Sequence, residues 1–170
     1  MSYELSGAAP SGQVKVLESW RKRLHGRAFI TCADIDIPAI NRELAYVSVL
    51  SCEEGKLRFR LAGTGLHHVF GGEARGKCAD EIEACRGGAM WAELATRSLL
   101  RAMPVSGVSR MADGTLHYWL RLPLSSDGVE ADMVLCHDRY LPAEAVVDPD
   151  KAAMRVDMSL RRDVGHLVAA

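Results

Sequence analysis

Several absences narrow the chain before any element is assigned. No apolar run approaches the roughly 20 residues that cross a bilayer, and Met1-Ser2-Tyr3-Glu4 lacks the basic start and apolar stretch of a secretory leader. The expected compartment is the cytoplasm, with no membrane association. The cysteines Cys32, Cys52, Cys78, Cys85 and Cys136 are odd in number and nowhere spaced C-x-x-C, which excludes the usual zinc and dithiol motifs and leaves small buried hydrophobes in a reducing compartment. Neither charge dominates: 21 Lys and Arg stand against 22 Asp and Glu, so nothing draws the whole chain to phosphate backbones. Arg21-Lys22-Arg23 and Arg161-Arg162 are short and read as solvated helix faces, so no nucleic-acid partner is expected. A dinucleotide fingerprint is also missing, because Gly71-Gly72 and Gly76 follow a helical stretch instead of joining a strand to a helix.

What is present suffices for one α+β domain. With 170 residues, 48% of them hydrophobic, the chain can bury one core and carry short extensions. Residues 1–12 read as a flexible tail, 13–142 as the domain and 143–170 as a C-terminal extension. The clearest stretch is Lys56 to Gly76. Leu57, Phe59, Leu61 and Gly63 alternate with Lys56, Arg58 and Arg60, the period of a half-buried strand. After Gly63-Thr64-Gly65 the spacing changes to Leu66, Val69 and Phe70, a short helix with Thr64 as its expected N-cap.

Before that stretch, an amphipathic helix from Gln13 to Leu24 is expected, capped by Ser11 and striped by Leu17, Trp20 and Leu24. Asp36 ahead of Pro38 marks a helix start, with Ile37, Ile40 and Leu44 on its apolar face. Residues 45–51 alternate around Val47 and Val49, and Glu53-Glu54-Gly55 turns the chain into the next strand. Beyond Gly76 a short helical piece over 77–86 precedes a longer helix with Trp91, Leu94, Ala95, Ser98, Leu99 and Ala102 on one side, stopped by Pro104. Three strands follow. Residues 105–111 lead to the Asp113-Gly114 hairpin turn, Leu116, Tyr118, Leu120, Leu122 and Leu124 alternate against His117, Trp119 and Arg121, and 131–140 closes the set.

Two strands, short helices, a longer helix and three strands is the element order of a PAS domain. The chain resembles the single-domain bacterial PAS proteins that begin with a Trp-Arg helix and an Asp-rich segment. Trp20-Arg21, Asp34-Ile35-Asp36-Ile37-Pro38, and Leu57 to Thr64 with Gly71 to Gly76 carry the likeness, over roughly 16–140. It departs at Leu44-Ala45-Tyr46, where similar proteins often place a proline. The resemblance implies a five-stranded antiparallel sheet in the order 2-1-5-4-3 with helices on one face, and a sensory or protein-interaction module in bacterial signalling with no catalytic residues.

On that frame, the expected ligand-facing set is Phe59, Leu61, Thr64, Leu66, Phe70, Trp91, Leu94, Ser98, Tyr118 and Leu120, suited to a small apolar ligand or simply to packing. The expected interface set is Leu17, Trp20, Leu24, Val47, Val49 and Trp119: an apolar strip on the outer sheet face, covered by the first helix of the same chain or of a homodimer partner. A signalling protein partner is implied, since the chain carries no output domain. Cofactor identity is open. Haem, as in some PAS sensors, would need His67, His68 or Cys85, and adjacent histidines on a helix point about 100° apart; an exposed or capping role fits them better. Flavin chemistry of the PAS type needs an Asn-Cys-Arg setting that Cys78 and Cys85 lack. The competing class is a small α+β pocket enzyme, an isomerase, dehydratase or hydrolase, using His117 or His137 as general base with Asp138 as its orienting carboxylate.

Overall fold

A computed structural model describes residues 9–82 and 89–142. Its elements are α1 (Ser11–Leu24), two 3-10 segments (Cys32–Asp34 and Pro38–Tyr46), β1 (Val47–Glu53), β2 (Lys56–Ala62), a 3-10 turn (Thr64–Leu66) running into α2 (His67–Phe70), α3 (Ala79–Ile82), α4 (Ala89–Arg101), β3 (Val105–Arg110), β4 (Leu116–Leu124) and β5 (Met133–Leu141). The five strands pair antiparallel throughout in the order β2-β1-β5-β4-β3, as expected. The extension 143–170 and Cys85 lie outside the described residues.

Both faces of the sheet are covered. On one face α2, α3 and α4 enclose Leu50, Leu57, Phe59, Val134 and Cys136. On the other, Val16, Leu17 and Trp20 of α1, with Ile30 and Ile40, cover Val47, Val49, Leu120, Leu122 and Leu135. The expected cover for the apolar strip is therefore supplied within one chain, and the Trp20 indole N–H donates to the Pro123 carbonyl at 3.1 Å. A void of about 10 Å³ remains there among Val16, Trp20, Ile30, Ile35, Ile40 and Leu135, room for at most one water in an apolar setting.

Local chemistry explains the element ends. Helix α1 begins at Ser11 with Pro10 ahead of it and no side-chain cap, so Ser11 opens the helix instead of capping it. Asp36 does accept the Ala39 N–H at 3.2 Å, but the segment from Pro38 is 3-10 and kinked at Ile40, which leaves Ile37 49% exposed and off the apolar face. Glu54 and Gly55 both have positive φ (51° and 76°), the twist-matched geometry of a two-residue hairpin. Gly63 serves by close approach: a Cβ there would fall 2.4 Å from the carbonyl oxygens of Leu44 and Ala45, so this glycine lets the exit of β2 pass under the preceding segment. Gly63 also stands at the N-cap position expected for Thr64, which is exposed.

The edge at β2 is not bare. The Phe59 N–H donates to Lys77 O at 3.0 Å and the Gly76 N–H to Phe59 O at 2.8 Å, so the glycine loop after α2 pairs along it and blunts an aggregation-prone edge.

Candidate functional site

Strand alternation assigns the side chains of β4 and β5 to faces, and the register makes the assignment mutual. His117 pairs with Tyr140, Trp119 with Asp138 and Arg121 with Cys136, so all six lie on the α4 face. Tyr118 and Leu120 belong to the opposite parity, and Leu120 packs in the α1 core. This reverses the expected orientation of β4: its leucine row faces α1, and its polar row is the covered one beneath α4.

That polar row forms a buried charged cluster. Arg121 donates through Nη1 to Asp138 Oδ2 and through Nη2 to Asp138 Oδ1, both at 2.9 Å, and His117 Nε2 meets Asp138 Oδ1 at 2.6 Å. Arg121 and Asp138 are wholly buried and His117 almost so. Burial opposes the charge on Arg121, but the Asp138 carboxylate outweighs it and holds the guanidinium above its ordinary value. A fully desolvated pair is tolerated because the bidentate geometry satisfies both oxygens. Beside it, burial pushes the Cys136 thiol up to about 12 and raises Tyr140 above the ordinary phenol range, so both stay protonated.

Aromatic rings frame the cluster. His117 stacks on Tyr140 (centroids 4.2 Å apart, planes 7° from parallel), and its ring lies 6.3 Å from that of Trp91 with the planes 19° from parallel. The Arg121 guanidinium carbon sits 4.4 Å from the centre of the Trp91 ring, a cation–π contact strengthened by desolvation. His68 of α2 meets Tyr140 edge-on at 6.0 Å, which links the exposed surface of α2 to the stack.

The expected ligand-facing set divides here. Phe59, Phe70 and Trp91 meet at 4.9 to 6.0 Å between centroids, with Leu66 in the same core; Leu94 is buried. Ser98 is buried too, but its hydroxyl bonds the Met103 carbonyl at 2.9 Å, so it secures the end of α4. Leu61 does not join them. A β-bulge between Val49 and Leu50 places Leu61 opposite Val49 and leaves it 48% exposed, since an extra residue reverses the alternation beyond it. Thr64 is exposed, and Tyr118 and Leu120 face the other way.

Of the expected interface set, Leu17, Trp20, Val47 and Val49 share the α1 core with Leu24 at its margin. Trp119 is on the α4 face instead, bonded through its indole N–H to Ser109 Oγ at 3.2 Å and lying on Gly107. His67 turns toward Glu73 at 3.7 Å. Among the described residues no group of three His, Cys, Asp or Glu could hold a metal ion, and Cys78 is buried beside α3.

The two histidines weighed as a general base are separated by the sheet. His117 does meet Asp138, whereas His137 points to the α1 face, its Nε2 3.0 Å from Glu43 Oε2. Arg121 is the member that sequence reasoning left out. The available signal was an arginine in the middle of a strand whose other row is all apolar, opposite a strand carrying an aspartate of the same parity.

Among the described residues no helix is long and apolar enough to cross a membrane. No curated protein matches the chain. The sequence model of the PAS domain matches residues 9–128, from the residue before Pro10 through β4, leaving β5 beyond the matched span. With the strand order and that match in agreement, this chain belongs to the PAS domain family, whose members are sensory or signalling modules.

Proposed function

We propose that the chain is a cytoplasmic bacterial module that senses or relays a signal by binding a protein partner or a small ligand, without a reaction of its own. The observation that carries this reading is the placement of β5. Its alternate residues serve both faces: Asp138 anchors the charged cluster under α4, and His137 anchors the segment under α1. Any binding event that shifts α4 or the Trp91–His117–Tyr140 stack strains the strand that also seats α1. A ligand or partner moves such an equilibrium only by its differential affinity for the two arrangements.

The close packing of Phe59, Phe70 and Trp91 favours a protein partner, or a ligand small enough to enter with minor repacking. Among the described residues the cysteines Cys32, Cys52, Cys78 and Cys136 are free thiols, which suit a reducing compartment. A visible spectrum and native mass spectrum of freshly purified protein test the reading together. Expected are no haem or flavin absorption and a mass equal to the chain, or to the chain plus one small colourless molecule. A stoichiometric haem or flavin would replace it with a cofactor sensor.

The His117–Asp138 pair favours a second reading, a general base with its orienting carboxylate. Its burial speaks for a structural role. Turnover of a small substrate that follows pH and vanishes in His117→Gln, with the fold retained, would establish the enzyme.

A further inference from the structure

The α1 face carries a polar arrangement that packing alone does not require. His137 is fully buried between Val47 of β1 and Leu120 of β4, its Nε2 paired to Glu43. A carboxylate only accepts, so the neutral ring carries its proton on Nε2 and leaves Nδ1 as a bare acceptor. Nδ1 is buried with no partner among the described residues. A second proton can enter only there, where no acceptor meets it. The Glu43 carboxylate in turn lies directly on the first turn of α1, where a Cβ at Gly12 would fall 2.1 to 2.3 Å from its atoms. Next along α1, Gln13 is buried with neither amide atom bonded, so this end of the helix is seated on unsatisfied polar groups that gain partners in water.

We propose that His137 and Glu43 form a proton-operated latch that holds the start of α1 on the sheet and releases it when the ring takes up a second proton from solvent. The groups facing His137 set the direction. Glu43 and Arg139 lie on its own side, with Arg139 Nη1 3.8 Å from Glu43 Oε2; Asp138 lies behind the sheet; β1, β4 and α1 present only the uncharged Val47, Leu120 and Gly12. Burial outweighs the two carboxylates and holds the ring below its ordinary histidine value. Releasing α1 hydrates the imidazolium and uncovers the strip Val47, Val49, Leu122 and Leu135. The parts of the latch all lie on the α1 face, so it can be tested without knowing what binds under α4.

The test is amide hydrogen exchange of the whole chain between pH 7.5 and 5, corrected for intrinsic rates, read beside a ¹⁵N titration of the histidine rings. Expected are a neutral His137 with its proton on Nε2, and protection in α1 that falls by up to about tenfold per pH unit as pH drops from the released ring's ordinary 6.5 toward the lower midpoint of the latched ring, while α4 keeps its own. His137→Gln removes the pH dependence of α1, and Glu43→Gln moves its midpoint down. Should His137→Gln fail to fold, the wild-type comparison decides alone. Protection of α1 that is flat with pH, a fall that begins well away from the released ring's ordinary 6.5, or a neutral ring protonated on Nδ1 would each overturn the latch.

Discussion

The α1 face of the sheet is closed mainly by aliphatic side chains and one indole, with few polar contacts, chiefly Trp20 to the Pro123 carbonyl and His137 to Glu43. The α4 face combines an aromatic core with a fully buried Arg121–Asp138–His117 cluster. The first kind of closure is non-directional and tolerates repacking. The second depends on hydrogen-bond geometry, because each charged member is costly once its partner is gone. One sheet thus carries a tolerant face and an exacting one, joined by β5.

The largest expected effect is on the exacting face. Asp138→Ala leaves Arg121 buried without its counter-charge and should cost about 3–5 kcal/mol, read as a lower urea midpoint. Replacing Arg121 and Asp138 together by apolar residues of similar volume should recover most of that loss. If Asp138→Ala costs no more than an exposed substitution, the two faces do not differ in kind.

On the tolerant face Leu17→Ala should cost about 2–5 kcal/mol through lost burial and a cavity, while Leu17→Met should stay under about 1.5 kcal/mol. Deleting residues 1–24 removes the α1 part of the cover. We expect poor solubility or self-association by sedimentation, and an unchanged, well-folded monomer would show that the strip needs no cover.

Smaller and slower effects follow from titration. Burial holds His137 below its ordinary 6.5, so the unfolded chain takes the proton first as pH falls. Stability from this group is complete above about pH 6.5 and declines below it, by at most about 1.4 kcal/mol per pH unit. Cys136 works at the other end. The folded chain keeps it a thiol up to about 12, so stability falls as pH rises above the unfolded value near 9. A stability profile flat on both sides would contradict these assignments. Iodoacetamide should accordingly label the exposed Cys32 and Cys52 well before the buried Cys78 and Cys136.

The smallest effect distinguishes two residues once grouped as ligand-facing. Thr64→Ala should change stability by no more than about 0.5 kcal/mol, whereas Ser98→Ala, which strips a buried hydroxyl from the end of α4, should cost about 1 kcal/mol. Equal values would place both side chains in the same environment.

How much was legible follows from which signals are local. The hairpins at Glu54-Gly55 and Asp113-Gly114, the stripe of α1 and the strand periods are properties of a few adjacent residues, and all appear where expected. Which row of β4 faces which layer is not local. A row of leucines beside His117, Trp119 and Arg121 reads as inside against outside whenever one face is presumed wet. With both faces covered, polarity no longer identifies the outer one. Leu61 fails for a related reason: one bulge residue, invisible in the alternation of β2, reverses the face of everything after it.

The sequence by itself determined the order of the strands and of the two longer helices, because backbone propensity, turn residues and hydrophobic period act over a few residues at a time. Only the tertiary structure decided that Arg121, Asp138 and His117 come together under Trp91 and that His137, one residue along, ends on the other side against Glu43. Both outcomes depend on strand register and on which layer closes over which face, and those are fixed by contacts between residues far apart in the chain.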